Sequence, residues 1–215
     1  MLETGSVSAR STQNILLKNL MDASMGAIMW WMCGHGVAYD GQNGFIGTAG
    51  PSYFTNGPER ADHQGYPTES SRTGYDWAKW WFQFTFAAAS TTIVSGAVAE
   101  RTYLLSYIVY TMAITLLVYP VVVHWAWSDY GWISPTNPNA VLHGVIDFAG
   151  SGVVHMTGGF SSLFAAAIVG PRVGRFDRGS RKGRIFNLGQ GAPCPMPGHS
   201  TVLQALGTFI LWMGW

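Results

Sequence analysis

Residues 147–172 read DFAGSGVVHMTGGFSSLFAAAIVGPR. One carboxylate, Asp147, opens the stretch, and one imidazole, His155, interrupts it. The run between them and Gly170 has the length an α-helix needs to cross a bilayer, about 20 residues. An ionisable group inside such a run is costly, so it marks a binding site or a conduction path. Gly158, Ser162, Ala166 and Gly170 recur four residues apart. That stripe of small side chains lets a second helix approach closely and sets this helix inside a bundle, away from lipid.

The rest of the chain repeats the pattern. Of 215 residues, 11% are charged, against about 25% in soluble domains. Aromatic residues make up 14%, with 10 Trp, a residue that gathers at membrane interfaces. Uncharged or nearly uncharged windows run over about 15–39 (with Lys18 and Asp22 near its start), 80–99, 102–127 (interrupted by His124) and 148–170. A fifth, 200–215, meets the chain end at Trp215 and is too short to span, so the sequence reads as a piece of a longer chain. The expected fold class is all-α, a polytopic transmembrane helix bundle. No cleaved signal peptide is expected in the polar stretch Met1–Asn14.

Orientation follows from the basic residues. Arg172, Arg175, Arg178, Arg181, Lys182 and Arg184 crowd one loop, which should be cytoplasmic. Counting back, the 40–75 and 128–146 segments face outside, and the N-terminal segment with Arg10 and Lys18 faces inside. The short Glu100-Arg101 turn makes the second and third helices adjacent and antiparallel. His199 and the basic run are expected to face cytosol and anionic lipid. A net charge of +1 gives no electrostatic case for nucleic acid. Cys33 and Cys194 supply no disulfide framework. Cys33 with His35 offers two ligands, which do not make a zinc site, and no cofactor is expected.

Each candidate site residue carries two readings. Asp147 is an N-cap facing the positive helix end, or a carboxylate that helps a cation shed water, and the two are compatible. His155, eight residues on, lies about 12 Å deeper if the segment is helical, near the midplane. It is either a core histidine bonded to a neighbouring helix or a pore-lining group. Phe82 and Phe86 share one face of the second helix, and Trp127 ends the third at similar shallow depth. They form an aromatic belt, or a vestibule that attracts a small cation through ring faces. Gln83 between them could add a hydrogen bond. Pro120 is expected to kink the third helix, and His124, one turn on, to pack or lie at the interface.

These residues resemble a known family. Asp147–Arg172 is similar throughout to the signature segment of the ammonium transporter (Amt/Mep/Rh) family. So are NILLKNLMDA (14–23), SGAVAER (95–101), YPVVVHWAW (119–127) and GTFILWMGW (207–215), while GRFD (174–177) and GWISP (131–135) resemble the plant and algal branch. The resemblance implies a partial chain of an eleven-helix fold, a homotrimer in the plasma membrane, and ammonium or ammonia as substrate. It implies Trp127 and Phe86 as the outer recruitment site, Phe82 and Phe86 as gate phenylalanines with Gln83 their neighbour, Asp147 as the recruitment and folding carboxylate, and His155 as the first of a pore histidine pair. It also implies that the first helix, a second gate phenylalanine and the second pore histidine lie outside this sequence. Other readings are an ammonium sensor, a membrane enzyme using His155 and Asp147 as acid and base, and a fragment without function of its own. No nucleophile or cofactor motif accompanies the enzyme reading.

Overall fold

A computed structural model describes residues 1–48, 53, 74–176 and 192–214. Most of the 40–75 loop, the basic residues Arg178, Arg181, Lys182 and Arg184, and Trp215 lie outside the described residues. The described part is helical, with a single isolated β-bridge, Phe176 to Pro193.

A short helix, α1 (Leu2–Ser6), precedes a long one, α2. This begins as Thr12–Met29, passes through a π turn at Trp30–Gly34 and ends as His35–Tyr39. Then follow α3 (Gly74–Ala97), α4 (Leu104–Trp127, with a π turn at Ile114–Val118), α5 (Ser151–Val169, opening with a π turn at Ser151–Met156) and α6 (Thr201–Gly214). By length and hydropathy α4 and α5 each suffice to cross a membrane.

Helix ends depart from the apolar windows for physical reasons. α3 begins six residues before residue 80, because Trp77 and Lys79 tolerate a helix beyond the apolar layer; hydropathy marks membrane thickness, whereas hydrogen bonding marks helix length. α5 starts at Ser151, after Gly150 takes a left-handed conformation (φ 84°). The π turn before Pro120 shifts the hydrogen-bond register where the proline has no N–H to give. Gly170 (φ 81°) and Pro171 end α5.

The core lies where α2, α3, α4 and α5 meet, around Trp30, Phe84, Val94, Tyr119, Val123, Val153 and Val154. α5 packs along α3 because Gly158 has no side chain: a Cβ there would come within 2.9 Å of the Ser90 carbonyl oxygen and of Ile93 Cβ. α2 and α4 meet at their π turns, where a Cβ on Gly34 would lie 2.7 Å from the Thr115 carbonyl oxygen. α1 docks on α6 through Gly5 and Gly207.

The two charges in the α2 window are buried, Lys18 beside a carboxylate and Asp22 beside a hydroxyl. The Lys18 ammonium lies 3.2 Å from a Glu3 carboxylate oxygen and 4.9 Å from the Tyr107 ring centroid. Asp22 accepts a 2.5 Å bond from Thr111, and Ser95 donates to Glu3 at 2.7 Å. At the other end His124 is buried, with its two ring nitrogens against the carbonyls of Ala38 and Asn43, tying the chain after α2 onto α4. Trp125 donates to the Phe45 carbonyl (2.7 Å) and Trp132 N–H to that of Gly44 (3.0 Å), so the 40–47 and 128–146 segments share one end of the bundle.

Candidate functional site

The backbone at the start of α5 builds the site. Gly150 turns the chain so that the Asp147 carboxylate faces the helix end. One oxygen accepts from the N–H groups of Gly150 (2.9 Å) and Ser151 (2.8 Å), the other from Gly152 (3.0 Å) and Val153 (2.7 Å). These are the N–H groups that the first helical turn cannot satisfy itself. Burial raises the affinity of Asp147 for its proton, but the four backbone donors outweigh burial and hold its carboxyl below the usual range. The capping group is thus three residues ahead of Gly150, the residue at the N-cap position.

The same turn holds the aromatic group. Trp127 Nε1 donates to the Asp147 carbonyl oxygen at 2.8 Å. The Trp127 and Phe86 ring centroids are 5.4 Å apart at 56°, and Phe82 meets Phe86 edge-on at 4.9 Å and 76°. Phe86 and Trp127 are half-buried, and Phe82 is 57% exposed. Phe82, Phe86, Trp127 and Asp147 therefore form one linked patch from three elements. Gln83, one residue from Phe82, has its Oε1 buried without a hydrogen-bond partner among the described residues.

His155 lies in the second turn of α5. The segment between Asp147 and Ser151 is not helical, so His155 is about 6 Å along the axis from the helix start, shallower than an eight-residue helical count gives. Its Nδ1 is 3.0 Å from the Gly150 carbonyl oxygen. A carbonyl only accepts, so in the neutral ring Nδ1 carries the proton and Nε2 is the acceptor nitrogen. The residue is exposed on the surface of this part of the chain. Gly150 joins all these features, through its turn, its N–H to Asp147 and its carbonyl to His155. Sequence reading passed over it, although Asp147 followed three residues later by glycine is a turn signal. Among the described residues no group of three His, Cys, Asp or Glu could hold a metal, and no disulfide joins Cys33 to Cys194.

Among the described residues, apolar helices are bundled through glycine contacts with an aromatic and carboxylate cap at one end, and two of them are long and apolar enough to cross a membrane. The model of the Ammonium Transporter Family matches residues 1–215, and the chain belongs to that family. The family is one of integral membrane transporters, not enzymes. The chain is 42% identical to ammonium transporter 1 member 4 of Arabidopsis thaliana over 98% of its length, and 42% identical to ammonium transporter 1 member 1 of Oryza sativa subsp. japonica over all of it. It spans 38% and 39% of the length of those two relatives. Among solved structures, it superposes on one titled "Sensor Amt Protein" with a TM-score of 0.78 and 31% identity, covering 100% of this chain and 47% of the other. On Saccharomyces cerevisiae Mep2 the values are 0.66 and 25%, covering 94% and 40%.

Proposed function

We propose that this chain forms part of a plasma-membrane homotrimer that conducts ammonium or ammonia through a narrow pore in each protomer. The observation that supports it most is the contact of Phe82, Phe86 and Trp127 beside the capped Asp147. Ring faces attract a small cation, by about 2 kcal/mol when it is desolvated. The Asp147 carboxylate stays ionised there and adds negative potential, while its own bonds keep it from binding the cation tightly. The unpartnered Gln83 oxygen suits a ligand that carries N–H donors.

Past the patch, desolvation penalises the charged form, so the cation gives up its proton or passes it on separately. His155 Nε2 is an acceptor of the right kind, fixed in tautomer by Gly150. The pore wall facing His155 would come from sequence that the longer relatives have and this chain lacks.

The test is ammonium uptake by the natural gene product in cells without other ammonium uptake. Trp127→Leu should raise the half-saturating concentration by about thirtyfold, the factor that corresponds to a lost contact of about 2 kcal/mol. His155→Ala should abolish uptake or change its selectivity while leaving expression intact. Unchanged uptake in both variants would overturn the proposal.

A second reading, an ammonium sensor, draws on the likeness to the structure titled "Sensor Amt Protein". Ammonium-dependent signalling that persists in a transport-dead His155→Ala protein would favour it; loss of both together would favour transport alone.

A further inference from the structure

The interface of α2, α3 and α4 is polar along its length. On α4, Thr111, Thr115 and Tyr119 follow one another at intervals of four residues, and all three are buried. On α2 the facing residues are Asp22, Gly26 and Trp30, also four apart. Thr111 donates to Asp22 at 2.5 Å. The Thr115 hydroxyl lies 3.2 Å from that of Thr91 on α3 and would be 3.6 Å from a Cβ on Gly26. The Tyr119 and Trp30 ring centroids are 6.0 Å apart. Each end of this line meets a charged group. Asp147, the carboxylate of the aromatic patch, is close enough to Tyr119 to act on it electrostatically. Lys18, one turn from Asp22, lines an open cavity of about 420 Å³ with Ser11, Asn14 and Tyr107.

Four residues of helix rise about 6 Å, a gap that one water closes with two ordinary hydrogen bonds. Along the same interface Asp22 Oδ2, Tyr110 Oη, Trp30 Nε1 and Tyr119 Oη are buried without a hydrogen-bond partner among the described residues. Buried polar groups are satisfied by protein or by ordered water, and internal waters sit among several polar partners. A carboxylate inside a membrane bundle is costly and marks an ion or proton path. Hydroxyls and water both donate and accept, so they can hand a proton along. The direct contact of Thr91 with Thr115 suits a proton and not a whole cation.

We infer that Tyr119, Thr115, Thr91, Thr111 and Asp22, bridged by water, form a proton-conducting line between α2, α3 and α4. It rests on the transport reading above and carries the proton that ammonium gives up near the aromatic patch. His155 lies on α5, which contributes no member to the line. In the first step an N–H bond of ammonium breaks, its electron pair stays on nitrogen, and the proton binds a water oxygen near Asp147. Each hydroxyl or water then accepts a proton on a lone pair and releases its own to the next. Asp22 holds one as the carboxylic acid and passes it to water in the cavity beside Lys18. The hydroxyls turn back between passages and the line ends unchanged. One ammonium thus yields one ammonia, by the pore, and one proton, by the line.

The purified natural gene product is reconstituted in vesicles and given an ammonium gradient. Charge movement is read as current on a solid-supported membrane, and uncharged ammonia entry as a rise in lumenal pH. Thr115→Val removes one hydroxyl at nearly constant volume, and Thr91 keeps its 3.1 Å bond to the Ala87 carbonyl. Tyr119→Phe removes a second hydroxyl in the same way. Each should lower the current about tenfold, the effect of one lost hydrogen bond on a transfer barrier, while the lumenal pH rise persists or grows. Thr115→Ser returns the hydroxyl and should return the current, which a packing role for the threonine does not require. If Thr115→Val does not fold, Tyr119→Phe carries the comparison. Wild-type current in both hydroxyl-deleted variants, or current and pH rise falling together in variants that melt like wild type, would overturn the line. Wild type that raises lumenal pH without current would overturn it too, leaving transport intact. Wild type with neither signal would refute the transport reading itself, and the line with it.

Discussion

Replacing Asp147 by asparagine tests whether the carboxylate is needed as a double acceptor. The two carboxylate oxygens divide four backbone N–H groups evenly: Gly150 and Ser151 on one, Gly152 and Val153 on the other. Asparagine keeps one oxygen and puts an amide NH2 where the second was, so two N–H groups face a donor. A donor left unsatisfied costs about 1–3 kcal/mol when buried. Asp147 is partly exposed, so the lower end applies to each, and Asp147→Asn should destabilise the start of α5 by about 2 kcal/mol. Asp147→Glu should not rescue it, because the added methylene moves the oxygens off the N–H groups.

The pH dependence has a definite sign. The Asp147 carboxyl is held below its usual range, so the stability it contributes is fully present above the unfolded value, about 3.9. It is lost only as pH falls through the lower folded value. The melting-temperature difference between wild type and Asp147→Asn should therefore stay constant from neutral pH down to about 5 and shrink at more acid pH. Melting within experimental error of wild type at neutral pH, or a difference that grows on acidification, would refute the capping role. Because Trp127 hangs from the Asp147 carbonyl, the variant should also move the indole, seen as a shift in tryptophan fluorescence against a Trp127→Phe control.

Gly158→Ala places a Cβ 2.9 Å from the Ser90 carbonyl and from Ile93 Cβ, and should lower stability by about 1–3 kcal/mol in a thermal melt; no change would mean α5 does not pack on α3 this closely. Glu3→Gln strips the buried Lys18 of its partner and should cost about 3 kcal/mol, the lower end for a broken buried pair because the Glu3 side chain is 18% exposed. Adding Lys18→Met should recover part of that loss, and a double variant no more stable than Glu3→Gln would argue against charge burial as the cause. Gly150→Ala meets Val154 Cγ2 at 2.5 Å in a left-handed conformation, so it should impair both melting temperature and uptake; wild-type values for both would separate the turn from the site.

What the sequence showed, and what it withheld, divides by the range of the interaction. The apolar windows mark helices because hydropathy and helix formation both follow local composition. Asp147, Phe82, Phe86 and Trp127 stood out because carboxylates are rare beside apolar runs and aromatics four apart share a face. Pairing was not legible. Nothing local says that Glu3 reaches Lys18, that Asp22 meets Thr111, or that Trp127 hangs from the backbone of Asp147, since each joins two different elements. The three π turns were equally hidden: a one-residue slip in register leaves almost no trace in composition, and only Pro120 hinted at one of them.

That hidden layer bears on function. One π turn contains His155 and starts beneath the Asp147 carboxylate; another precedes the α4 segment that ends at Trp127; the third adjoins the buried His35. A π turn widens the helix and re-aims the side chains that follow it, and such turns cluster at working sites. The aromatic patch and His155 are thus not fixed independently: both depend on the first turn of α5, through the Asp147 carbonyl on one side and the Gly150 carbonyl on the other. A change at Gly150 or Asp147 should therefore alter cation recognition and the orientation of the His155 ring together, whereas Trp127→Leu should alter recognition alone. Measuring affinity and maximal uptake rate for the three variants distinguishes a coupled entrance from two separate sites. If Asp147→Asn changes affinity but leaves the maximal rate at wild type, the coupling is absent.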